Sequence, residues 1–231
     1  MIVATAVCPH PPLLLRELTG SRDAAADLRA ACEKAVAELL AADPDTVVVV
    51  GGADTSAEDV RGRVPVRSFG GTGERVPPRE ALPLSLAVAR RLLDSAGCRA
   101  PVEMTAVAWD AGAEETAALG RRIAARPGRV ALLVMGDGGA CRGEKAPGHL
   151  DERTFEVDGA VRTALETGDP AALTGLDPDL AAELLIAGRA AFQVMAHAAG
   201  PGQRARLLYD DDPFGVLYLV ALWRPGHTPE A

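Results

Sequence analysis

The chain has 231 residues, 48% of them hydrophobic, with four cysteines and a formal net charge of −8. That length and apolar content are enough for one α/β domain with a sizeable core, and the acidic balance argues against nucleic acid, whose phosphates need a basic face. Cys8, Cys32, Cys98 and Cys141 show no CxxC spacing, which fits reduced thiols in the cytoplasm better than a zinc or disulfide framework, and no apolar run reaches transmembrane length.

In chain order, Ile2 to Val7 reads as a buried strand. It stops at Cys8-Pro9-His10-Pro11-Pro12, where prolines end strand pairing. The same prolines, and the lack of a basic start, exclude a signal peptide. Ser21 is placed to cap a helix whose apolar positions Leu28, Cys32, Ala35, Val36 and Leu39 keep helical spacing up to Asp43-Pro44. Thr46 to Val50 reads as a second buried strand broken by Gly51-Gly52. Ala53 to Pro78, rich in Gly, Pro and Arg, holds at most a short strand at Val64 to Ser68. A helix over Leu84 to Ser95 closes at Gly97, and a third strand over Val102 to Trp109 precedes a helix over Ala113 to Ala125.

Val130 to Met135 is an apolar run with no alternation, the pattern of a strand covered on both faces. It leads into Gly136-Asp137-Gly138-Gly139-Ala140-Cys141-Arg142-Gly143-Glu144-Lys145, then Ala146 to Leu150 with His149. Helices are predicted over Asp151 to Thr167 and Pro178 to Ala199, and Arg206 to Tyr209 with Gly215 to Trp223 reads as a closing hairpin. The domain is therefore expected over 1–223, with a loose tail over 224–231 that contains His227. Strands alternating with helices and an antiparallel ending predict a single-domain three-layer α/β/α sandwich with a mixed, mainly parallel sheet.

Parallel sheets place ligand sites in the loops beyond the carboxyl ends of their strands. His10, Asp54, Asp110 and Asp137 stand there, and one histidine among carboxylates suits a divalent metal such as ferrous iron. Asp and Gly after strands are equally ordinary turn chemistry. His149 is a candidate acid-base group, and Arg142 and Lys145 are candidate anchors for a substrate anion, unless they pair locally with Glu144. Phosphate cradling fits poorly, because Glu144 interrupts the P-loop spacing from Gly138 to Gly143 and the GxGxxG pattern fails at Cys141. The absence of GxSxG removes a nucleophile elbow.

Cys8-Pro9-His10-Pro11-Pro12, Val47-Val48-Val49-Val50-Gly51-Gly52, Met135-Gly136-Asp137-Gly138-Gly139 and Ala187-Gly188-Arg189, in that order, together resemble the catalytic B subunit of class III extradiol ring-cleavage dioxygenases and the related Memo-like proteins. The resemblance implies a mixed sheet between helices and, in active members, a ferrous iron that binds a catecholic substrate and dioxygen. His10 matches the first ligand histidine. Gly52-Ala53-Asp54 stands where a second is expected, Gly139-Ala140-Cys141 where an acid-base histidine is expected, and Ala187 where Memo-like members carry a cysteine.

These departures lead to two expectations. One is an altered non-heme iron oxidoreductase with His10 and Asp54 as metal ligands, His149 and Asp137 as catalytic groups, and Arg142 and Lys145 binding a small aromatic substrate. The other is a catalytically silent member of the fold that serves as a binding module or partner subunit, as a homo-oligomer or with another chain. With so few ligands matched, ferrous iron should bind weakly or not at all.

Overall fold

In a computed structural model, which describes residues 1–20 and 23–226, the chain forms one six-stranded sheet in the order β3-β2-β4-β1-β6-β5. The strands are β1 (Ile2–Cys8), β2 (Thr46–Ala53), β3 (Val102–Ala108), β4 (Val130–Met135), β5 (Gln203–Asp211) and β6 (Tyr218–Pro225). The first four run parallel, with Ala6 and Val49 both opposite Leu133. β6 pairs antiparallel with β1 and with β5. This is the mixed, mainly parallel sheet that the sequence predicted.

Among the described residues seven α-helices join the strands: α1 (Ala26–Leu40), α2 (Leu84–Ser95), α3 (Ala113–Ala124), α4 (Arg153–Thr167), α5 (Pro170–Thr174), α6 (Pro178–Glu183) and α7 (Arg189–Ala199). Because strand side chains alternate between faces, Val47, Val49 and Leu133 pack with α1 and α2, whereas Val48, Val50, Leu132 and Val134 pack with α3, α4 and α7. All six residues of β4 are buried, since helices cover both faces of the strand. Among the described residues no helix is long and apolar enough to cross a membrane.

Several boundaries differ from the prediction. β2 continues through Gly51 and Gly52, paired with Ala106 and Val107; the glycines act as strand residues that admit close neighbours. A Cβ at Gly51 would lie 2.6 Å from the Ser85 hydroxyl oxygen. Val64 to Ser68 is no strand: Val66–Phe69 forms a 3-10 turn that ends at Gly70, whose φ of 93° favours glycine. The long helix expected over Pro178 to Ala199 is divided between α6 and α7. Leu185 turns left-handed at φ 53°, and the Gly188 amide donates to the Asp137 carbonyl at 2.8 Å. Pro225 is still in β6, opposite Gln203, so the closing hairpin runs past Trp223, where the sequence ended it. Ser21 and His227 lie outside the described residues.

Candidate functional site at the carboxyl rim

The register of β1 against β4 fixes the centre of the rim. Cys8 lies opposite Met135, and the Gly136 amide donates to the Cys8 carbonyl at 3.0 Å, so the next residues of both strands emerge side by side. The His10 amide donates to Asp137 Oδ1 at 2.7 Å. The imidazole Nδ1 stands 3.4 Å from the same oxygen, without hydrogen-bond geometry, and has no hydrogen-bond partner among the described residues. His10 is only 5% exposed.

The groups around this pair are held in their neutral forms. Burial raises the Cys32 thiol well above its ordinary value, with the neighbouring Cys8 and the charge of Asp137 adding to the effect. Burial likewise raises the Tyr218 phenol, again with Asp137 contributing. A buried thiol or phenol loses solvation of its anion, and a nearby carboxylate repels that anion. Neither is a nucleophile at neutral pH.

Trp109 closes the other side. Its amide donates to the Ala53 carbonyl at 3.1 Å, which brings the indole back over the end of β2. The ring stacks on His10 with centroids 6.1 Å apart and planes 16° from parallel. A Cβ at Gly52 would fall 1.7 Å from an indole carbon. The space over Gly52 is therefore filled by Trp109, in the segment where the resemblance places a second ligand histidine.

The remaining predicted residues are dispersed. Asp54 is exposed and lines a separate cleft with Val60, Val76 and Leu82. His149 is exposed, holds a left-handed φ of 56°, and has Nδ1 3.2 Å from the Glu144 carbonyl. Lys145 is exposed. Arg142 is held by Asp158 at 2.9 Å and Asp212 at 2.5 Å and lies over the Phe155 ring at 4.7 Å. Its guanidinium thus pairs with two distant carboxylates and not with the adjacent Glu144. Asp158 also accepts from the Gly139 amide at 2.8 Å, which ties the glycine loop to α4.

Of the predicted site residues, the fold brings His10 and Asp137 together. Among the described residues no three His, Cys, Asp or Glu side chains are grouped to hold a metal ion. Ferrous iron in such proteins needs two histidines and a carboxylate on one face of the metal. Here one histidine is buried between a single carboxylate and an indole, and these residues do not fit that donor set.

Sequence reasoning placed Trp109 at a strand end and Arg189 in a motif, but singled out neither for binding. The two line a cleft of about 480 Å³ with Asp110, Asp179, Leu185 and Ile186. Arg189 is 2% exposed. It donates to the carbonyls of Ala111 and Trp109 and to Gln193 Oε1, and its Nε has no acceptor among the described residues. Burial lowers its basicity, with only the charge of Asp110 opposing. An aromatic residue at the exit of a strand followed by an acid was the one sequence signal for this corner.

No family model matches the chain, and no curated protein matches it. Among solved structures it is similar to the uncharacterized protein JW3007 from Escherichia coli K12, with a TM-score of 0.57 and 12% identity over 96% of this chain and 99% of that one. At that identity the likeness is one of fold.

Proposed function

We propose that the protein is a catalytically silent relative of the extradiol-dioxygenase fold that binds a small molecule in the Trp109 cleft. One observation carries this reading: the indole of Trp109 lies on Gly52 and against His10, in the room a second metal ligand would need. The cleft volume falls in the range of small-molecule sites, and its apolar walls favour an apolar ligand body. Four free thiols suit a reducing compartment, so we place the protein in the cytoplasm, alone or as a partner subunit.

A second reading, an altered iron oxidoreductase acting on a catecholic substrate, is favoured by His10 beside Asp137 at the sheet's carboxyl rim. Iron content separates the two. Protein reconstituted anaerobically with a ferrous salt and desalted should retain far less than one iron per chain, and should leave catechols uncleaved in air. Stoichiometric iron with ring cleavage would restore the enzyme.

A further inference from the structure

The charges of the Trp109 cleft narrow its ligand, an inference that rests on the cleft being the binding site. We propose that it takes a cationic amphiphile, a flat aromatic body carrying one ammonium group.

Most acids around this rim are already engaged. Asp177 caps α6, Asp158 and Asp212 hold Arg142, and Asp151 and Glu183 hold Arg153. Asp110 and Asp179 line the cleft, are exposed, and have no hydrogen-bond or ion-pair partner through their carboxylates among the described residues. Arg189, the one cation among the described residues that line the cleft, is buried with both terminal nitrogens on carbonyl-type oxygens. Its Nε has no acceptor among the described residues, but at 2% exposure the guanidinium offers a ligand far less surface than the two exposed carboxylates do. Two carboxylates against one guanidinium leave the cleft one charge from neutrality, which a single ammonium supplies.

Trp109 is the other half of the recognition. It is 41% exposed although the indole is fixed over Gly52 and His10. A fixed, part-open indole offers a stacking surface to an aromatic ring and an attractive face to a cation. Leu185 and Ile186 make the facing apolar wall. Leu185 is 46% exposed and held left-handed at φ 53°, an uncommon conformation for leucine of the kind that concentrates at binding loops. The net charge of −8 adds a long-range pull on a cation.

Calorimetric titration of the full chain with 2-(1-naphthyl)ethylamine, 2-(1-naphthyl)ethanol and 1-naphthylacetate tests this. The amine should bind about tenfold more tightly than the alcohol, the carboxylate most weakly, and added salt should narrow the gap. Asp110→Asn and Asp179→Asn should each weaken the amine several-fold and leave the alcohol unchanged. Trp109→Ala should weaken all three probes, with near-UV circular dichroism of the buried Trp223 reporting that the fold is kept. Tighter binding of the carboxylate, or an amine affinity indifferent to both asparagine variants, would overturn the charge assignment while the cleft stands. No probe bound, or binding indifferent to Trp109→Ala, would remove the cleft as the site as well.

Discussion

Arg142 and Arg189 both carry guanidinium groups into the carboxyl rim, and they meet burial differently. Arg142, with its side chain 16% exposed, is held by Asp158 and Asp212. Burial works against its charge, but the hydrogen bonds to those carboxylates outweigh it and hold the group above the ordinary arginine value. Arg189 is more deeply buried and has carbonyl-type oxygens in place of carboxylates. Burial brings it below the ordinary value. A compensated charge fastens the glycine loop to α4 and the hairpin. An uncompensated one lies buried behind an open indole and two unengaged acids, and it is those acids that leave electrostatic work for a cationic ligand.

The largest effect that sharpens this contrast should come from Asp158→Ala. The carboxylate is buried and accepts from the Gly139 amide at 2.8 Å and from Arg142 at 2.9 Å. Removing one partner of a buried pair leaves the other uncompensated, at a cost of about 3–5 kcal/mol; Asp212 remains on Arg142, so the lower end is expected. Urea denaturation measures it. A loss below about 1 kcal/mol, the range of exposed pairs, would show that the loop is not anchored through Asp158.

How far the sequence disclosed this rim depends on the range of the interaction involved. The Val130–Met135 strand and the Leu84–Ser95 helix were legible to the residue, because burial on both faces and on one face leaves different periodicities. The meeting of His10 and Asp137 followed from two strand ends in one parallel sheet. The break between α6 and α7 did not show, since apolar spacing continues through Leu184 and Ala187; what divides the helix is Gly188 docking on the Asp137 carbonyl, fifty-one positions away in the chain. Arg189 was equally opaque. Two of its partners are backbone oxygens, those of Trp109 and Ala111, and a backbone oxygen leaves no residue-type signature. Gly51-Gly52 looked like an exit from a strand because the side chains that need those glycines, Ser85 and Trp109, come from elsewhere in the chain.

The next effect is smaller. Arg189→Met keeps the apolar stem of the side chain but removes its donors to Gln193 and to the Ala111 and Trp109 carbonyls, a loss of about 1–2 kcal/mol once the desolvation of an uncompensated charge is also relieved. Measured by the same denaturation, it should fall short of Asp158→Ala. A loss equal to or greater than that of Asp158→Ala would mean that Arg189 is compensated after all, and the contrast between the two arginines would fail.

The smallest effect concerns acid stability and depends on which force governs Asp158. Burial raises its pKa above the ordinary carboxylate value, against the lowering pull of the Gly139 amide, Arg142 and Thr154. The folded chain then holds the proton more tightly than the unfolded chain. The resulting stabilisation is fully present below the unfolded carboxylate value of about 4 and is lost as pH rises through the higher folded value. Asp158→Asn cannot titrate, so it serves as the reference. From about pH 4 to about pH 7, a window that starts at the unfolded value, the stability of the wild type relative to Asp158→Asn should increase as pH is lowered. The slope should not exceed about 1.4 kcal/mol per pH unit, the limit for a single proton. Half-buried Asp151, lowered chiefly by its hydrogen bonds to Arg153, contributes in the opposite sense in both proteins and cancels from the difference. A relative stability that instead falls with acidification would mean that the pairing with Arg142 outweighs desolvation and holds the Asp158 carboxyl below its unfolded value.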